Sequence, residues 1–375
     1  MIRTRNAILQ PTGIKRRNIM RKHFIILSVV TVMLVFLSNG IISKASGIVN
    51  DENGTIAQKE AICEAIQYVA SDTTSYGFSE VNFENLQIAA AIPAYEYKNG
   101  VFNQIWEYYP IIDGNHIVAL AINVFDDKYT IETSLAKNID QIGFSDIALI
   151  YDSQGVYLYN GYDVVLLGYS GIIAPERETM DLCSDDVAFS RISTADITKT
   201  MSLGYIENRD LLGPPNYYSC GVSYVPQAPY SNLCWAATVA CIKNCLSGTT
   251  LTAGDVSMAY FETSYVVDST ASPSQVASFM QIIYSMSYTF GNYVPSDSVL
   301  VTNISNGYPI YGSFAYSGGY HATTIYGVNA ITGYISVMDP ICGVATALRN
   351  GTTYTYVNSY SGFTLSLSRA ICHSW

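Results

Sequence analysis

Ionised side chains fall along this chain in three blocks, and that partition constrains its folding more than any single motif. Residues 1–50 carry 8 Lys/Arg and no Asp/Glu, residues 51–210 carry 8 against 25, and residues 211–375 carry 3 against 5. The blocks hold +8, −17 and −2 of a total of −11. Steps of that size mark segments with separate surfaces and tasks, and 375 residues suffice for two domains that each bury a core. No basic patch interleaved with aromatic residues is present in the last block, which excludes nucleic acid as its partner.

The basic block reads as an export signal. Lys15, Arg16, Arg17, Arg21 and Lys22 lead into the apolar run "FIILSVVTVMLVFL" and then the small-residue site Ser43-Lys44-Ala45, predicting cleavage after Ala45 and a signal peptide over 1–45. The run is short for a bilayer span, which needs about 20 residues, but extended to Ile42 and left uncut it would hold the protein at a membrane. Export places the eight cysteines in a thiol-permissive compartment. They are too sparse for a dense disulfide framework, and their pairing is not deducible from spacing.

In the acidic block, Thr55 to Gln58 forms a capping-box pattern ahead of the periodic run "AQKEAICEAIQYVAS", which predicts one helix of about four turns. Alternating runs follow, separated by turn signals at Lys98-Asn99-Gly100, Asp113-Gly114-Asn115 and Ser153-Gln154-Gly155. A helix followed by an antiparallel meander that wraps it is an α+β domain over 46–205. It holds no catalytic constellation, and His116, next to a turn, reads as a surface residue. From about 186 to 219 periodicity is lost and Pro214-Pro215 bars helix and central strand alike, so this stretch reads as a linker open to proteolysis.

Residues 220–375 carry the chemistry. In "QAPYSNLCWAATVACIKNC", Ser231 and Asn232 are cap-type residues and Gly248 is a natural stop, which puts Cys234 at a helix N-terminus where backbone N–H groups favour a thiolate. Cys234, Cys241 and Cys245 recur on one face, but the absence of a C-x-x-C knuckle and the scarcity of His argue against zinc, and no cofactor or metal is expected. His321 begins the strand-like run "HATTIYGV", joined to "YISVMD" by a loop over Asn329 to Gly333. With Val328 opposite Tyr334, His321 faces Ile341 and Asp339 is its diagonal neighbour, ~7 Å away and within reach of the imidazole. Asp339 then orients His321, and His321 holds Cys234 as a thiolate and protonates a leaving amine. Pro340 ends the strand, and His373, near the terminus, is the reserve base.

These residues resemble the papain-like cysteine peptidases, especially the bacterial staphopain-like and bacteriocin-leader-peptidase-like branches. The resemblance rests on "VPQAPYSNLCWAAT", "NGYPIYGSFAYSGGYHATTIYGVN" and "YISVMDP". It implies a central helix packed on an antiparallel sheet, a protein or peptide substrate, and an oxyanion donor at Gln227. Gln227 lies seven residues before Cys234, one more than the usual papain spacing, so the loop between them must bulge. A secreted peptidase behind an α+β segment is similar to the zymogens of secreted bacterial cysteine proteases. The acidic block is thus expected to be an inhibitory prodomain removed on maturation, a permanent binding module being the alternative. A Cys-His-Asp order is also shared with transglutaminase-like acyltransferases and arylamine acetyltransferases, and a non-catalytic surface binding protein is the third reading.

Overall fold

In the computed structural model, residues 52–142, 147–159, 163–171, 201–202 and 217–375 are described. The export signal, the site after Ala45 and most of the Pro-rich linker lie outside them. Gln58–Trp375 forms one compact unit, so the acidic segment and the Cys234 segment share a body.

The Cys234 segment closes a six-stranded antiparallel barrel. Ile310–Tyr316, Gly319–Asn329, Tyr334–Asp339, Gly343–Asn350, Thr353–Asn358 and Phe363–His373 pair in chain order, and the last strand returns to the first. Closure leaves no open edge within the ring. The helix Cys234–Ser247 lies against the first two of these strands, and Ala236, Ala237 and Ala240 are fully buried, small enough to let helix and barrel approach closely. The helices Ala253–Phe261 and Pro273–Ile282 cover its other side, each started by a complete capping box. Trp235 packs edge-on to Tyr260 and Phe279, and its Nε1 donates to the Ser269 carbonyl at 2.9 Å. The tryptophan beside the cysteine therefore anchors the helix in its apolar layer, while the thiol is left at the rim.

The acidic segment builds a seven-stranded sheet in the order Lys128–Glu132, His116–Phe125, Val101–Asp113, Ile92–Lys98, Ala148–Tyr151, Gly155–Tyr159, Val164–Tyr169. The expected turns are present, with Asn99 and Gly100 both at positive φ as a tight hairpin requires. Three expectations need correction. The first helix runs from Glu52 to Ala70, so Thr55 lies inside it rather than capping it. A later helix, Ser134–Ile142, was not expected: it buries Leu135, Ala136 and Ile139 but is only nine residues long, too short for periodicity to declare itself. By carrying the chain across the sheet it allows Ala148–Tyr151 to pair parallel with Ile92–Lys98, so the sheet is mixed rather than a pure meander.

The sheet also does not wrap the first helix alone. Gln58 Nε2 donates to Tyr129 Oη at 3.1 Å on the sheet side, while Tyr68 stacks on Tyr334 of the barrel and its hydroxyl lies 2.8 Å from Ser336 Oγ. Glu132 pairs with Ala345 across the two sheets, and beside it Ile131 N donates to Thr346 Oγ1 at 2.8 Å. One apolar core therefore runs from Ile62 and Val69 through Tyr334 to Trp235.

Candidate active site

Cys234 is the first residue of its helix, and the residue before the helix is Leu233, which makes no side-chain cap bond. Ser231 and Asn232 are not the caps their residue types suggested. Their own backbone N–H groups are held instead by the Asp268 carboxylate, at 3.0 and 2.8 Å. The first turn of the helix is thus left without a competing side-chain acceptor, and the backbone N–H groups of Trp235 and Ala322 help to lower the Cys234 thiol.

The hairpin delivers the other two groups. Near its tip Val328 faces Ile335, one position off the expected register, but a bulge between Ile325 and Gly327 restores it, so Thr324 faces Met338. At the far end the expected diagonal holds: His321 Nε2 lies 2.8 Å from Asp339 Oδ1, with His321 3 % exposed and Asp339 0 %. Nδ1 is then the ring nitrogen left for Cys234, whose thiol His321 lowers.

Asp339 is saturated. Oδ1 also accepts from Ile341 N at 2.8 Å, while Oδ2 accepts from Tyr356 Oη at 2.6 Å and Asn358 Nδ2 at 2.8 Å. Burial opposes its charge, but the His321 charge and these donors hold its carboxyl at about 2. Burial likewise opposes an imidazolium at His321, and Asp339 together with Cys234 raises it to about 10. At Cys234 burial pushes the thiol up, but the bond from His321, its charge and the two backbone N–H groups outweigh it and leave the thiol below its ordinary value. The other thiols behave oppositely: burial pushes Cys220 and Cys241 up to about 12 and Cys372 to about 11. Among the described residues Cys234 alone has a lowered thiol.

Such a pair reacts as thiolate and imidazolium together. The rate of Cys234 alkylation is expected to rise with pH as the thiol loses its proton below 9, and kcat/KM to fall again on the alkaline side as His321 loses its proton toward about 10. A stopped-time iodoacetamide series against pH, read by peptide mass, checks the first limb. A simple thiol titration near 9 would show that His321 exerts no hold on Cys234.

Gln227 is 2 % exposed, and its Nε2 donates to Ser231 O at 2.8 Å and to Gly171 O at 3.4 Å. The extra residue before Cys234 is absorbed in a turn in which Tyr230 N donates to Gln227 O at 3.1 Å. His373 is not in this group: its ring stacks on Tyr308 at 3.8 Å and lies edge-on to Tyr288. His116 is 76 % exposed beside Asp140, a surface residue as expected. Tyr356 and Asn358 escaped the sequence reading, although their spacing of two puts both on one face of a strand. The Asp339–Ile341 bond was legible as an Asx turn at Asp-Pro. Among the described residues no group of His, Cys, Asp and Glu has the arrangement of a metal site.

Residues 219–360 match the family model described as papain-like cysteine protease AvrRpt2. The matched stretch contains Gln227, Cys234, His321, Asp339, Tyr356 and Asn358. No curated protein matches the chain. The match supports a papain-like cysteine peptidase and suggests cysteine protease activity.

Proposed function

We propose that the chain is a secreted cysteine endopeptidase made as a zymogen, hydrolysing peptide bonds through Cys234, His321 and Asp339 with Gln227 as an oxyanion donor. The observation that carries the reading is the lowered thiol of Cys234 beside a buried His321–Asp339 pair, within the residues that match a protease family. The Cys234 thiolate attacks the substrate carbonyl carbon. The oxygen that becomes negative accepts from Gln227 Nε2 and the Cys234 backbone N–H. As the C–N bond breaks, His321 gives its proton to the leaving amine, and a thioester is left on sulfur. A water deprotonated by the neutral imidazole then attacks the thioester, the acid departs, and the thiolate–imidazolium pair is restored.

Inhibition by the acidic segment draws support from Gly171. Its carbonyl oxygen already accepts from Gln227 Nε2, so the chain leaving strand Val164–Tyr169 occupies a donor that a substrate needs. The acidic surface keeps the exported precursor soluble, and a cut in the Pro-rich stretch frees the cleft. Wild type is expected to be secreted without residues 1–45 and to shorten to a fragment that begins between about 200 and 219, whereas Cys234→Ala accumulates unshortened. Intact mass and N-terminal sequencing of the secreted protein read both steps. A fully active protein that is never cut would leave the acidic segment as a binding module.

A further inference from the structure

Asn358 holds the far oxygen of Asp339, and its own orientation is set by a turn. Its Oδ1 accepts from Tyr360 N at 3.2 Å and Ser361 N at 2.9 Å, which leaves Nδ2 to face Asp339. The turn closes with Gly362 N donating to Asn358 O at 2.8 Å, and Gly362 takes φ +66°, a conformation that suits glycine.

The outer side of this turn is gripped from three elements of the acidic segment. Tyr151 Oη, at the end of strand Ala148–Tyr151, donates to Ser359 O at 2.7 Å. Asn138 Nδ2, on helix Ser134–Ile142, donates to Tyr360 Oη at 2.8 Å. Trp106 Nε1, on strand Val101–Asp113, donates to Gly362 O at 2.9 Å. The fit is close: a Cβ at Gly362 would lie 3.1 Å from the Tyr151 ring, and one at Gly168 would lie 2.5 Å from the Tyr360 ring. Asn358, Ser359 and Ser361 are fully buried, so the turn's polar groups have no recourse to water if these donors leave.

We infer that Tyr151, Asn138 and Trp106 of the acidic segment are positioning residues for the Asp339 carboxylate, acting through the Asn358–Gly362 turn. The inference rests on the assignment of Cys234, His321 and Asp339 as the reacting set. A loosened turn lets Asn358 drift from Asp339, Asp339 then holds His321 less firmly, and the thiolate at Cys234 loses part of its support. The acidic segment thus has two opposed effects on one site: Gly171 occupies the oxyanion donor, while the three donors support the carboxylate end of the triad. While the cut acidic segment stays docked through the shared core, the three donors remain in place.

The test is the pH dependence of Cys234 carboxamidomethylation in the full-length protein, followed by peptide mass so that activation is not required. Besides His321, the titratable groups facing Cys234 are Tyr311 and Tyr356, both pushed far up by burial, so the acid limb reports the His321 pair. The variant Tyr151→Phe/Trp106→Phe is expected to raise the midpoint of that limb by about half a pH unit or more, as weakened support for a thiolate must. Tyr334→Phe is the control, because it deletes a bond of the same kind between barrel and acidic segment, Tyr334 Oη to Tyr129 O at 2.9 Å, away from the turn. Its midpoint is expected to match wild type. Equal midpoints in the variant, the control and wild type would overturn the positioning role while leaving the triad intact. A wild-type Cys234 that titrates and reacts like Cys372 would instead sink the triad reading, and the inference with it. Should the double variant not fold, Trp106→Phe alone, at a half-buried ring, carries the same comparison.

Discussion

Cys234→Ala and His321→Ala are each expected to abolish hydrolysis of casein, with a loss in kcat of about 10⁶-fold, because a nucleophile and its base act as one unit. Without sulfur there is no acyl-enzyme. Without the imidazole, Cys234 keeps the burial that disfavours its charge and loses the partner that outweighs it, so the thiol protonates and the leaving amine has no acid. Asp339→Ala is expected to be about two orders of magnitude milder, since Asp339 orients the base and is not consumed. Cys241→Ser and Cys245→Ser are the controls, expected to stay active: burial pushes both thiols up, away from the nucleophilic form. The measurement is initial rate on casein for folded, purified variants. A Cys234→Ala protein that cleaves at the wild-type rate would place the nucleophile elsewhere.

The parts of this site that lie close in the chain were legible, and those that depend on closure of the barrel were not. The diagonal of His321 and Asp339 follows from a hairpin whose two arms are adjacent in sequence, and it survives because the bulge between Ile325 and Gly327 cancels the shorter loop at the tip. The helix at Cys234 was legible from its small residues and Gly248. Its cap was not, because Asp268 takes the Ser231 and Asn232 backbone from more than thirty residues away, and tertiary contact overrides local propensity. Tyr356 and Asn358 reach Asp339 only because Thr353–Asn358 pairs with both of its neighbours in the ring. The charge step between the acidic and Tyr-rich segments gave no sign of the apolar core they share through Tyr68, Tyr334 and Ile131. Surface charge reports where solvent lies and says nothing of which apolar faces meet.

Gln227→Ala is expected to lower kcat by about 10²-fold or more, the usual worth of one oxyanion donor, while the Cys234 thiol remains open to iodoacetamide at the wild-type rate. The loop around Gln227 is held in place despite the extra residue before Cys234. The Gln227 backbone is fixed by its N–H to Pro340 O at 2.9 Å, next to the strand end that carries Asp339, and the surplus length is spent in the turn to Tyr230. Its side chain is steered by the bond to Ser231 O, and the same nitrogen already reaches a carbonyl oxygen, that of Gly171. Deleting the amide removes a hydrogen bond that strengthens only when the substrate oxygen turns negative, so the loss falls on kcat and KM changes little. Gln227→Glu separates this role from packing: it keeps the size of the side chain but replaces the donor by a carboxylate facing the developing negative charge, and is expected to be slower than Gln227→Ala. Steady-state kinetics on a peptide substrate, run on the cut enzyme so that Gly171 is not the limiting occupant, measures both. Unchanged turnover in Gln227→Ala would assign the oxyanion to the Cys234 N–H and a donor other than Gln227, and would make the Gly171 contact a packing feature of the acidic segment.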